Sequence, residues 1–383
     1  MKLRSPRWLK LLLRTLGALL LIASVVAWSS TDHLRSFGGA FEVEQMRKSP
    51  HFVDDHFQNA EPTTIWSASA LISSLRELAF GKQMRAPICP LPLVTDAAKR
   101  LATPSASGLR VTWLGHSTTL IELDGATFLT DPIWSERSGP SPLVGPRRFH
   151  PPPLALAELP HLDAVLVSHE HFDHLDMATI RALAKRKVPF HVPLGVGAHL
   201  QAWGVPSSQI HEHDWWQSVA VTPTVRVVST PARHFNGRGF PLREGTFWTS
   251  WSLVGPKHRV FFSGDTGLTE GFREIAKREG PFDLAMLEIG QYHPSWGQIH
   301  LGPAGALTAH KLLGAKILLP IHWATFQLGM HDWNEPPETL LAEAKKGKVE
   351  VVTPRLGEPI EPTEQPHTTA WWRAYPPIAK TCP

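Results

Sequence analysis

Cysteine is nearly absent from this chain: Cys89 and Cys382 are the only two in 383 residues. Two are too few for a disulfide framework or a cysteine-type zinc site, although they can pair if the compartment oxidises. Charge is sparse as well, at 19% of residues against roughly 25% in an average globular domain, and proline is abundant at 35 residues, a combination that excludes a coiled coil. The formal net charge is +4, and five of the positive charges, Lys2, Arg4, Arg7, Lys10 and Arg14, sit at the amino terminus. With no basic stripe left for the body of the chain, nucleic acid is not an expected partner. No internal repeat occurs at the periods that mark solenoids or propellers.

What the chain does have is apolar bulk and histidine. Hydrophobic residues make up 42%, with 15 Trp and 17 Phe, enough for a buried core in one large domain or two average ones. The 21 histidines lean the composition toward metal or acid–base chemistry. Residues 1–30 combine the basic start with an apolar run from Leu16 to Trp28. They read as a signal peptide or a membrane anchor, and either one directs the body to the cell envelope on the far side of the membrane. Residues 31–108 lack a clean period and read as an extension wrapping the core, with one helix over Ala68–Phe80. Residues 109–353 alternate strand and helix patterns as an α/β domain, and residues 354–383 form a Pro- and Thr-rich tail expected to loop over the surface.

The chemistry concentrates in Ser168-His169-Glu170-His171-Phe172-Asp173-His174, which follows the apolar strand Ala164–Val167. Alternation along an extended segment sends His169 and His171 to one side, where both imidazoles reach a single ion at about 2.0–2.1 Å. Asp173 and His174 then turn toward a neighbouring position, which suits two metals about 3.5–4 Å apart. One loop cannot complete two sites, so other strand ends must contribute. The candidates are His234 in Pro231-Ala232-Arg233-His234, Asp265 in Ser263-Gly264-Asp265-Thr266-Gly267, and His322 in Ile321-His322-Trp323.

These motifs, together with VTWLGHSTTLIELDG, FLTDPIWSERSGPSPLVGPRRF, FFSGDTG, GPFDLAMLEIGQYHP and PIHWATF, resemble the metallo-β-lactamase superfamily over residues 105–353. Within it they are most similar to the branch of N-acyl-phosphatidylethanolamine-hydrolysing phospholipases D. The resemblance implies a four-layer αββα sandwich carrying two Zn2+ ions. Residue by residue it assigns His169, His171 and His234 to one zinc and Asp173, His174 and His322 to the other, with Asp265 bridging. It implies that Asp173 and Asp265 are also catalytic and that His300 faces the substrate phosphate, while His116 supports the ligands from behind. His211 and His213 imitate a ligand pair but stand where the family has no histidines, so they are not expected to bind metal.

The implied activity is hydrolysis of a phospholipid phosphodiester by a hydroxide held between the two zinc ions, with the membrane surface as the working environment. A lactone or other ester hydrolase of the same fold is one alternative. A zinc-binding envelope protein without turnover is another, and seven intact ligand candidates weigh against it.

Overall fold

The computed structural model describes residues 14–18, 20, 35–39, 43–65, 68–238, 245–364, 369–375 and 382. The expected leader at residues 1–30 lies almost entirely outside them. Among the described residues no helix is long and apolar enough to cross a membrane.

Sixteen strands are described. A small hairpin of β1 (Phe52–Val53) and β2 (His56–Phe57) belongs to the extension. The first large sheet is built from β3 (Leu109–Gly115), β4 (Thr118–Leu123), β5 (Ala126–Thr130), β6 (Ala164–Leu166), β7 (Phe190–Pro193) and β8 (Ile210–His213). The second comprises β9 (Ser218–Ala220), β10 (Arg226–Thr230), β11 (Ser250–Val254), β12 (Arg259–Phe262), β13 (Leu284–Glu288), β14 (Ile317–Ile321) and β15 (Glu350–Val351). The last strand, β16 (Pro359–Ile360), returns to the first sheet, so the orders are β16-β3-β4-β5-β6-β7-β8 and β15-β14-β13-β12-β11-β10-β9. The carboxy-terminal tail therefore does not simply loop over the surface: it supplies an edge strand on β3 and buries Trp371 and Trp372.

Period-two alternation sorts the side chains into layers. Val111, Trp113, Ile121, Phe128 and Leu166 join the core shared with the second sheet, where Val227, Trp251, Leu253 and Phe262 meet them. Their neighbours Leu114, Leu120, Leu129, Val165 and Val167 face the other way, onto Ile180 and Leu183 of the helix Met177–Ala184 and Val196 and Leu200 of the helix Val196–Ala202. The helices Gly271–Glu279, Gly302–Leu313 and Glu335–Gly347 add Ile275, Ala309 and Leu340 to the core on the second sheet. The result is the metallo-β-lactamase fold, an αββα sandwich, as expected.

Strand direction positions the site. β5 and β6 are parallel, as are β12, β13 and β14, and β10 runs with β12 because both pair antiparallel with β11. Asp131, Ser168, His234, Asp265, Glu288 and His322 all lie at or just beyond carboxyl ends of these strands.

Candidate metal centre

The loop after β6 is held open by its own ends. Asp176, the N-cap of helix Met177–Ala184, accepts from Ala178 N and also from Ser135 N and Oγ, which fastens the loop exit to the segment after β5. Gly264 has φ +55°, and a Cβ there would meet Ser168 Cβ at 2.4 Å. Only glycine lets the end of β12 approach the loop this closely. His116 and His322 also take left-handed backbone, with φ of 51° and 67°, and are tied together by His322 N donating to His116 O at 2.9 Å. Such conformations cost non-glycine residues about 1 kcal/mol or more each and persist where surrounding structure enforces them.

All seven expected ligands converge. His169 Nε2 lies 2.9 Å from His171 Nδ1, and His234 Nε2 lies 3.2 Å from the same atom. Asp265 Oδ2 is 3.9 Å from both His169 Nε2 and His234 Nε2, closing a four-atom cluster. A second cluster forms around Asp173 Oδ2, which is 3.3 Å from His174 Nε2 and 3.4 Å from His322 Nε2. Asp265 joins it too, with Oδ2 3.2 Å from His174 Nε2 and Oδ1 3.1 Å from His322 Nε2. One carboxylate thus faces both clusters.

The donor set fits metal ions. Tetrahedral ligands at about 2.0–2.1 Å from an ion lie a little over 3 Å from one another, close to the edges above. His174 Nε2 and Asp265 Oδ1 are buried and, despite the close neighbours just given, make no well-angled hydrogen bond among the described residues. Orphaned buried acceptors of this kind are costly unless something binds them. The opposite ring nitrogens are engaged: His174 Nδ1 contacts Asp131 Oδ2 at 2.7 Å, His234 Nδ1 donates to Ile299 O at 3.0 Å, and His169 Nδ1 meets Ser168 Oγ at 2.9 Å. Holding one nitrogen of a histidine by a hydrogen bond turns the other toward the metal position.

The field divides the histidines of the site into two groups. Burial, and then the neighbouring histidines, push His169 and His234 well below the ordinary histidine range. Burial acts the same way on His174 and His322, but the carboxylates of Asp265 and Asp173 outweigh it and raise His174 strongly and His322 to about 10. Burial also opposes ionisation of Asp173 and Asp265, yet His174 and its neighbours hold both well below the usual carboxylate range. Two carboxylates that stay ionised in a buried pocket attract cations.

His116 Nε2 lies 2.8 Å from Asp173 Oδ2, so the residue does stand behind a ligand. His300 Nδ1 contacts Glu288 Oε2 at 2.8 Å, and Glu288 Oε1 accepts from Thr266 N. Burial raises the Glu288 pKa; His300 is raised as well, because Glu288 overcomes the effect of burial on the ring. Sequence reasoning missed Asp131 and Glu288 as supports. The signal for Glu288 was a carboxylate ending the apolar strand Leu284–Glu288, where it is fully buried. His211 and His213 lie on β8, outside both clusters; His213 Nε2 meets His191 Nδ1 at 2.9 Å.

Above the clusters lies a cleft of about 210 Å³ with a polar floor of His171, Asp173, Asp265, His300 and His322. Its walls are Ile65, Phe235, Trp296, Ile299 and Leu328, with Gln291 as the one further polar residue of the lining. The extension contributes Ile65 to this lining and is tied to the site by Asn59, whose Nδ2 donates to His234 O and whose Oδ1 accepts from His234 N.

Comparison with known proteins agrees with this geometry. A family model described as a beta-lactamase superfamily domain matches residues 126–323. An uncharacterized protein of Mycobacterium tuberculosis is 46% identical over 332 residues, spanning 85% of this chain and 88% of the relative. The N-acyl-phosphatidylethanolamine-hydrolyzing phospholipase D 1 of Caenorhabditis elegans is 35% identical over 277 residues, 68% of this chain and 78% of the relative. Among solved structures, Igni18, a metallo hydrolase from the archaeon Ignicoccus hospitalis, matches with a TM-score of 0.51. That match, at 23% identity, covers 66% of this chain and 97% of that one and bears on the fold alone.

Proposed function

This chain belongs to the β-lactamase superfamily and is a metal-dependent hydrolase, and from that premise we propose that it is a zinc phosphodiesterase of the phospholipase D type. Its substrate is N-acyl-phosphatidylethanolamine or a related phospholipid. The observation that carries this reading is the cleft: a floor of imidazoles and carboxylates under walls of Ile65, Phe235, Trp296, Ile299 and Leu328 suits a charged phosphodiester flanked by apolar chains. The name of the Caenorhabditis elegans relative supports the same substrate class.

His169, His171 and His234 would hold one zinc, Asp173, His174 and His322 the other, and Asp265 both. When bound, two such ions supply Lewis acidity and bring the pKa of a shared water toward neutrality. In the hydrolysis a water oxygen adds to phosphorus, the bond from phosphorus to the N-acylethanolamine oxygen breaks, and phosphatidate is the other product. Asp173, steadied by His116, orients the attacking oxygen and relays its proton to the leaving alkoxide. His300, steadied by Glu288, faces the phosphate and contributes a hydrogen bond as charge builds on its oxygens.

The protein works at a membrane surface in the cell envelope. The apolar run of residues 16–28 supports this, as does the helix Ala68–Phe80, which exposes Ile72, Leu75, Leu78 and Phe80. That helix borders the cleft through Trp296, whose Nε1 donates to Ser74 Oγ. A disulfide between Cys89 and Cys382 suits the same oxidising compartment.

The test is incubation of the zinc-loaded protein with N-acyl-phosphatidylethanolamine and, separately, with a lactone panel. Release of N-acylethanolamine is expected, together with a loss of about 100-fold or more and reduced zinc retention in Asp265→Asn. Turnover of lactones alone would replace the phosphodiesterase reading. Two bound zinc ions with no ester hydrolysed would leave a non-catalytic metalloprotein.

A further inference from the structure

The segment Gly145-Pro146-Arg147-Arg148-Phe149-His150 takes no part in the metal clusters. Its Arg147, Arg148 and His150 line a separate cavity of about 490 Å³ together with Trp134 and Glu136. None of its lining residues belongs to the cleft above the metals. Phe326 stands between the two, with its ring 5.3 Å from that of His116 on one side and 5.8 Å from the Arg148 guanidinium on the other.

Arg148 is 8% exposed, yet its guanidinium makes one hydrogen bond, from Nη1 to Ile133 O at 3.3 Å. Its Nε is buried and has no partner among the described residues. The other charges in the lining do not neutralise it. Arg147 pairs with Glu136 at 2.5 Å, so those two cancel. His150 is satisfied through Nδ1 and Pro151 O at 2.7 Å, and burial followed by the charge of Arg148 pushes its pKa down to about 3, leaving it neutral. Burial lowers the pKa of Arg148 itself to about 10, so the guanidinium still carries its charge at neutral pH. Asp176 acts on the charge only from a distance, without a salt bridge. A buried cation without a salt-bridge partner among the described residues is expensive, and a guanidinium with Nη1 engaged keeps free the Nε side, the fork that grips an oxyanion by two parallel hydrogen bonds.

We infer that this cavity is a second, non-catalytic anion site that takes a phosphate-class oxyanion against the Nε side of Arg148. The inference is independent of the reaction proposed for the metal centre. The oxyanion has two possible sources, free phosphate or the headgroup of an anionic lipid, and the chemistry of recognition is the same for both.

The experiment compares the zinc-loaded protein with Arg148→Met, which keeps the volume and removes the charge. Thermal unfolding is followed while inorganic phosphate is titrated. Phosphate bound at the metals, and its general effect on solvent, act on both proteins and cancel in the difference. At a tenfold excess over Kd, a bound anion multiplies the folding equilibrium about elevenfold, a rise in Tm of about 2 °C beyond that of the variant. Equal shifts in the two proteins overturn the inference. Should Arg148→Met fail to fold, Arg148→Lys keeps the charge and loses the fork, and its phosphate midpoint is expected about tenfold higher; an unchanged midpoint overturns the inference. Sedimentation with phosphatidylcholine vesicles containing or lacking phosphatidate separates the sources. A phosphatidate-dependent loss of binding in Arg148→Met assigns the site to a lipid headgroup, and equal binding assigns it to the free anion.

Discussion

At the scale of single residues, the candidate metal ligands were legible because coordination imposes residue types at fixed short spacings, as in His169, His171, Asp173 and His174. The groups that aim those ligands were not. His116 contacts Asp173 across 57 positions of sequence, and Asp131 contacts His174 across 43. His116 was expected to stand behind the ligands through resemblance alone, and Asp131 was passed over although FLTDPIW was noted. The contact with Asp173 gives His116 a measurable role. His116→Ala should weaken metal retention or turnover about 10- to 100-fold, read as metal loss to a chelator and as kcat. If both match the parent protein, the 2.8 Å contact has no positioning role.

At the scale of elements, strong apolar patterns such as Arg259–Phe262 and Leu284–Glu288 read from sequence as strands with the bounds the structure shows. The central strand β5 and the small hairpin of β1 and β2 were not read; the other missed strands fall into two kinds. β7, β8, β9, β15 and β16 are short and lie at or near sheet edges, where few residues carry the pattern. β11 is fully buried yet reads as polar, because Ser250 Oγ is satisfied by Thr230 Oγ1 at 2.8 Å across the strand pair.

One turn does unusual structural service. Asp124, in the β4–β5 turn, accepts from Lys257 N, His258 N and His258 Nδ1 in the β11–β12 turn, and so clasps the two sheets at the end remote from the metals. Asp124→Ala should lower unfolding stability by about 1–3 kcal/mol in urea titrations while leaving kcat within about twofold. The sign with pH follows from the same contacts. Burial opposes ionisation of Asp124, but the bonds from His258 and the two amides prevail and hold its pKa below the usual value. The clasp therefore contributes fully above the unfolded-state value of about 3.9 and is lost as pH falls through the lower folded-state value. The variant should show a shallower loss of stability on acidification, and an identical acid limb would remove the clasp from the account.

At the scale of the whole molecule, the two ends of the chain are joined. Cys89 and Cys382, 293 positions apart, form a disulfide with Cα atoms 5.5 Å apart, linking the extension to the tail. Between that bond and the core, Trp371 stacks on Trp323 at 5.5 Å, and Trp323 in turn stacks on Trp113 at 5.1 Å. Trp323 follows His322 directly, so tail packing reaches the second metal cluster. Cys89→Ser is expected to cost about 2–4 kcal/mol of stability, and reduction of the parent protein should reproduce that loss. Unchanged unfolding in both cases would mean that the bond does not constrain the chain.

The sequence by itself determined the fold class, the ligand-bearing loop and the strand ends that complete it, because ligand chemistry and hydrophobic periodicity act over a few residues at a time. Only the tertiary structure decided which side chains hold those ligands in place, that the tail is a strand and an aromatic plug, and how the cleft is walled. It also decided that Arg148 is buried without a salt-bridge partner among the described residues. Each of these depends on contacts between segments far apart in the chain, where the cost of burying a polar group and the partner that offsets it are set by the packing of the whole molecule.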